Sequence, residues 1–144
     1  MFDLKSDAPL GHRLVQAAKM HRGWVSSQLE GLGLYVGQEL LLAQLCREDG
    51  IRQTSLARVL GIELPTTNKM LRRLETSGFV ERRSDPDDAR ASLAYLTPQG
   101  RRMCEGISEI WQAAERRLRQ ALSSDDAAQL ERLLGELTRR SRKP

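Results

Sequence analysis

The run Thr66, Thr67, Asn68, Lys69, Arg72 and Arg73 sets short hydroxyl and amide groups beside long cations, and Arg82, Arg83 and Arg90 follow a little further along the chain. Hydroxyls, amides and lysine ammonium groups can read base edges, whereas arginines pair well with phosphates and so supply affinity and register. The chemistry open to this set is recognition of a polyanion, with no bond made or broken. For catalysis the sequence offers almost nothing: there is no phosphate loop, no nucleophile elbow and no Ser, His and acid set in a recognisable context. His12 and His21 lack the i,i+4 pairing of a zinc-binding helix, and Cys46 and Cys104 lie far apart with no metal-ligand spacing. The chain is therefore expected to be no enzyme and to need no metal or cofactor.

The elements that must position these residues follow from periodicity and punctuation. Leu10, Leu14, Ala17, Val25 and Leu29 recur at helical spacing until Gly31 and Gly33, which predicts a long first helix. A Leu-rich stretch from Gln38 to Cys46 predicts a short buried helix closed by Asp49-Gly50, and Thr54 to Leu60 predicts another that ends at Gly61. Pro65 in a first turn opens a helix running to about Thr76, with Met70, Leu71 and Leu74 inward and the candidate readers elsewhere. Phe79 to Arg83 and Ser92 to Leu96 alternate loosely around Asp85-Pro86-Asp87-Asp88, the pattern of a β-hairpin with a charged tip. Thr97-Pro98 caps a long helix striped by Met103, Ile107, Ile110, Trp111, Ala114, Leu118 and Leu122. Ser123 and Asp126 resemble a capping box before a last helix bearing Leu130, Leu133, Leu134 and Leu137, and a basic tail from Arg139 to Lys143 follows.

Two short helices joined at a glycine, the second cationic and followed by a basic hairpin, are the parts of a winged helix-turn-helix. Each cation taken singly also suits a solvated helix face, and the order of the parts gives the set its meaning. The expected class is mainly α with a small β-wing, dimerising through its N- and C-terminal helices. One domain over 1–144 is expected, with dimerisation helices at about 8–30 and 98–141 and a DNA-binding lobe at about 37–97. Composition agrees: 144 residues suit one core, aromatics are only 4%, and the net charge of +4 is modest enough that its placement matters more than its size. No stretch is long and apolar enough to span a membrane, no cleavable leader pattern is evident, and two distant cysteines fit a reducing cytoplasm.

The runs Gln53-Thr54-Ser55-Leu56-Ala57-Arg58-Val59-Leu60-Gly61, Pro65 to Arg82, Asp85-Pro86-Asp87-Asp88-Ala89-Arg90 and Leu96-Thr97-Pro98-Gln99-Gly100 resemble the MarR (multiple antibiotic resistance regulator) family over nearly the whole chain. The wing, an Asp-x-Arg followed by a strand ending Leu-Thr-x-x-Gly, is the most specific piece. The resemblance implies a homodimeric transcriptional regulator, most often a repressor, on a pseudo-palindromic duplex DNA operator. It also implies that Asp88 orients Arg90 toward DNA. Ala89 stands where many relatives carry a second arginine, and Tyr35, Arg52 and Glu63 stand where the family has Ser or Thr helix caps.

Family members often release DNA on binding small anionic aromatic molecules, and some sense oxidants through a cysteine. The resemblance makes His21, Trp24, Tyr35 and Trp111 candidates for an effector pocket; the alternative is that both tryptophans anchor a dimer core. Cys46 and Cys104 are expected to be buried apolar fillers, with a redox role as the alternative. Neither lies on the first helix, where the family's peroxide sensors keep their thiol. An architectural DNA-binding protein without effector is the other reading kept open.

Overall fold

In the computed structural model, which describes residues 1–140, the chain forms two compact units that meet between Ile110 and Trp111, inside a helix. No linker marks that division, so a sequence without a Pro/Gly-rich break reads as one domain. The first unit opens with α1 (Leu4–Asp7) and α2 (Pro9–Leu29), followed by a 3-10 turn, Glu30–Leu32. Next come α3 (Gln38–Arg47), β1 (Ile51–Arg52), α4 (Gln53–Leu60), α5 (Leu64–Thr76), β2 (Val80–Asp85) and β3 (Asp88–Leu96). A sixth helix, α6 (Pro98–Gln120), leads into the second unit, which ends in α7 (Ser124–Arg140). Ser141, Arg142 and Lys143 of the basic tail lie outside the described residues.

The core of the first unit is leucine: Leu29, Leu41, Leu42, Leu45, Leu56, Leu71 and Leu74 are all essentially sealed from solvent. Each contributes on the order of 2–3 kcal/mol of apolar burial. Gly61 ends α4 at φ 66°, a left-handed position that costs a side chain but not glycine, and it turns the chain into α5. The hairpin is joined on its other side by β1, giving a three-stranded antiparallel sheet in the order β1-β3-β2. Ile51 pairs with Ala94, and Val80 with Leu96. Two residues are too few to show alternation, which is why β1 is silent in the sequence.

The join between the sheet and α6 is tight. Thr97 caps α6 by accepting the Gly100 N–H at 3.0 Å while its own hydroxyl donates to the Gly78 carbonyl at 2.6 Å. A Cβ added at Gly100 would lie 2.0 Å from the Phe79 carbonyl oxygen, so only glycine fits there. In the second unit Ser123 accepts the Asp126 N–H at 3.1 Å at the start of α7, as the capping pattern predicts.

Candidate nucleic-acid interface

Burial divides α5 into two faces. Thr67, Leu71 and Leu74 are buried, whereas Thr66, Lys69, Arg72 and Arg73 are exposed. At 100° per residue Lys69, Arg72 and Arg73 occupy one outward arc, with Thr66 at its N-terminal edge. Among the described residues none of the three cations has an ion-pair partner. Their guanidinium and ammonium groups stay available to an external anion. Pro65 in the first turn removes an N–H that would have had no partner, so the helix starts cleanly although Glu63 makes no side-chain cap.

Thr67 departs from the expected set of base readers. Its side chain is fully buried and its hydroxyl donates back to the Glu63 carbonyl at 3.1 Å. Thr66 and Thr67 are adjacent, and one step of 100° is enough to put the second into the core. Asn68 is half-buried, with its Oδ1 shut off from solvent and no partner to that atom, so it sits at the margin of the exposed face.

The basic residues of the wing also divide. Arg82 is expected at phosphates, but its Nε and a terminal nitrogen both hold Glu75 Oε2, at 3.0 and 2.7 Å, fastening β2 to the last turn of α5. Arg83 pairs with Glu81 and lies 4.5 Å from the centre of the Tyr95 ring, although its side chain stays 61% exposed. Arg90 is exposed near the tip and carries no ion pair among the described residues. Asp88 accepts the Arg90 backbone N–H at 3.0 Å, so its link to Arg90 runs through the main chain and leaves the guanidinium unheld.

Asp85 sets the wing itself. Its carboxylate is nearly buried, accepts the Asp87 N–H at 2.9 Å and meets Arg52 of β1 at 2.5 Å. The residue that departs from a Ser or Thr cap at α4 thus serves as an anchor for the hairpin. Only the turn motif hints at Asp85, and nothing local ties it to Arg52.

A second anchor is equally silent in the sequence. Glu39 in the first turn of α3 is fully buried, with one oxygen 2.8 Å from Arg22 of α2 and the other accepting the Gly37 N–H at 2.6 Å. Gln38 accepts the Tyr35 N–H at 2.9 Å. Side chains in the first turn therefore reach back to N–H groups of the segment leading into the helix, as the acid of a capping box does, and fix the poorly marked start around Tyr35 without a side-chain cap from Gly37.

Of the candidate effector residues, His21 and Trp24 lie one turn apart on α2 and are half-buried, Tyr35 is exposed, and Trp111 belongs to the second unit, where it is half-buried. None of them lines the cavity of about 250 Å³ between α6 and α7, which is walled by Leu118, Leu122, Leu130 and Leu134 and rimmed by Glu115, Arg119 and Glu131. The cysteines correct the expectation outright. Cys46 and Cys104 form a disulfide, with Cys46 exposed and Cys104 half-buried, in place of two buried fillers. Their separation of 58 residues hides the pairing from any reading of local spacing. No described helix is long and apolar enough to cross a membrane, and no group of three or more His, Cys, Asp or Glu residues is placed to hold a metal among the described residues.

Known proteins resemble this chain along most of its length. A family profile described as MarR family matches residues 34–92. HTH-type transcriptional repressor Rv2887 of Mycobacterium tuberculosis is 31% identical over 134 residues, covering 93% of this chain and 96% of its own length. Multiple antibiotic resistance protein MarR of Escherichia coli is 30% identical, with 88% of each chain covered. The crystal structure of a MarR mutant from E. coli complexed with operator DNA superposes with a TM-score of 0.87 at 28% identity, covering 95% of this chain and 99% of that one.

Proposed function

The chain belongs to the MarR family of DNA-binding transcriptional regulators, and on that premise we propose that it is a homodimeric repressor that reads a pseudo-palindromic duplex operator. The observation that carries this reading is the outward arc of Lys69, Arg72 and Arg73 on α5, beside a core-anchored inner face, with Arg90 on the adjoining wing, all four without an ion pair among the described residues. A helix of that width fits the major groove. Thr66, Lys69 and the margin residue Asn68 take base edges, Arg72, Arg73 and the exposed part of Arg83 take phosphates, and Arg90 takes the groove or backbone beside the wing. The repressor named among the relatives supports the sign of regulation.

Dimerisation is supported separately in each unit. Phe2, Leu10, Leu14 and Val15 at the start of the first unit are exposed, as are Leu130, Leu133, Leu134 and Leu137 on α7 in the second. Apolar area of this kind calls for a partner, and a two-fold pair of lobes matches half-sites about 10 bp apart. In the first unit, His21 and Trp24 of α2 and Tyr35, on the segment between α2 and α3, are the proposed ligand contacts for a small aromatic acid that loosens DNA by differential affinity for two lobe spacings. A cytoplasmic location follows from the work proposed.

Fluorescence anisotropy with DNA from upstream of the gene encoding this chain, against a scrambled duplex, tests the reading. Operator-specific binding that weakens on adding one phenolic carboxylate is the expected result. Equal, weak binding to both duplexes would replace the repressor with an architectural DNA-binding protein.

A further inference from the structure

Arg52 occupies the N-cap of α4 and makes no side-chain cap bond there. The helix macrodipole opposes a cation at that end, and Ser, Thr, Asp or Asn would serve the cap better, so the residue suits its own helix poorly. Its guanidinium is engaged at the wing instead, 2.5 Å from Asp85, whose side chain is only 5% exposed. With the strand order β1-β3-β2, this pair joins the two outer strands across the middle one, a span of about 10 Å. From Asp85 the constraint continues in short steps: the carboxylate accepts the Asp87 N–H at 2.9 Å, Asp85 pairs in register with Asp88, and Asp88 accepts the Arg90 N–H at 3.0 Å. The base of the hairpin is held separately, by the pairing of β1 with β3, by Arg82 on Glu75 and, loosely, by the Ser92 hydroxyl on Gln53 at 3.4 Å. From Asp85 to Ala91, among the described residues, the Arg52 pair is the one ion pair or side-chain hydrogen bond that reaches outside the hairpin. Beyond that base the wing is a two-stranded ribbon with a register shift at Ser84 and Asp85, an arrangement that holds one shape poorly by itself.

We infer that Arg52 is a positioning residue for DNA recognition: through Asp85 it holds the wing tip where Arg90 meets the duplex. This rests on the wing contact proposed above. Arg52 is itself fixed at both ends of its role, since its backbone opposes Leu93 in the sheet and opens α4, the helix that precedes the DNA-facing α5. The entrance of the helix pair and the tip of the wing are thereby parts of one frame. Without the pair the ribbon is free to twist, and DNA would have to freeze that motion out before Arg90 could make its contact. The cost then falls on the Arg90 contact alone, which separates positioning from direct binding by Arg52 and from a general loss of structure.

A double-mutant cycle on the intact protein tests this, read by operator anisotropy across a salt series for the parent, Arg52→Met, Arg90→Ala and the two combined. Each single variant should lose about ten-fold in affinity and flatten the slope of log K against log salt by about 0.9. The combined variant should bind within about two-fold of Arg90→Ala alone, because the contact that Arg52 positions is already gone. Asp85→Asn removes the charge pair while its amide oxygen can still accept the Asp87 N–H, and it should show the same coupling to Arg90→Ala without depending on how Arg52→Met folds. A loss in Arg90→Ala that Arg52→Met and Asp85→Asn do not share, or losses that multiply to about a hundred-fold in the combined variant, would overturn the inference and leave the wing contact standing. Parent-like binding by Arg90→Ala would instead remove the wing contact and the inference with it, and absence of specific binding by the parent would sink the regulator reading, so the failures are distinguishable.

Discussion

Arg22→Met isolates the buried ion pair that fixes the start of α3. Glu39 is fully buried and each of its oxygens has one close partner, Arg22 at 2.8 Å and the Gly37 N–H at 2.6 Å. At an effective dielectric of about 20 the gross attraction of the pair is on the order of 6 kcal/mol, and desolvation of the carboxylate takes back several. Removing the cation leaves that carboxylate buried with one hydrogen bond, a situation that costs about 3–5 kcal/mol when both partners are inside. Arg22 is 31% exposed, so water screens the pair and the expected loss falls to about 2 kcal/mol. With a urea slope of about 2 kcal/mol/M, the midpoint should drop by about 1 M with the slope unchanged, at one fixed protein concentration. Glu39→Gln keeps an acceptor for Gly37 and should cost about 1 kcal/mol. The double variant should cost less than the sum of the two, because it leaves no unpaired buried charge. A midpoint for Arg22→Met within about 0.2 M of the parent would show that the pair behaves as a surface contact and refute the reasoning.

Arg82→Ala should lower stability by about 1 kcal/mol in the same urea assay and leave the salt dependence of operator binding unchanged, because its guanidinium is committed to Glu75. Asp85→Ala removes both the Arg52 pair and the bond from Asp87 N–H, so amides at the wing tip should exchange with solvent faster than in the parent while those of α3 keep their protection. Gly100→Ala forces a Cβ against the Phe79 carbonyl and should cost about 3 kcal/mol, read as a loss of soluble folded protein or a lowered thermal midpoint.

Most of the architecture is legible in the sequence because its signals are local. The Gly61 turn, the Pro65 helix start, the Thr97 cap and the Asp-Pro-Asp-Asp hairpin tip each announce themselves within a few residues, and the elements lie where those signals put them. What stays hidden is long-range. Cys46 with Cys104, Arg22 with Glu39, and Arg52 with Asp85 join residues that only the folded chain brings together. The candidate site is readable by type but not by direction. Thr67 and Arg82 have the right chemistry for DNA, yet one turns into the core and the other is spent on Glu75. Periodicity alone assigns Leu71 and Leu74 inward, and it places Thr67 on the same side once the helix phase is known. No rule of local spacing reveals that Arg82 holds Glu75 while Arg90, among the described residues, makes no ion pair.

The most direct test of the central claim is the salt dependence of operator binding for the parent chain and for one carrying Lys69→Ala, Arg72→Ala and Arg73→Ala together. All three residues are exposed, so the variant should fold as the parent does. If the arc on α5 faces DNA, specific affinity should collapse and the slope of log K against log salt should flatten by roughly 2–3, about 0.9 for each phosphate that the variant no longer neutralises. An unchanged slope with operator preference intact would place the DNA elsewhere on the molecule and contradict that claim.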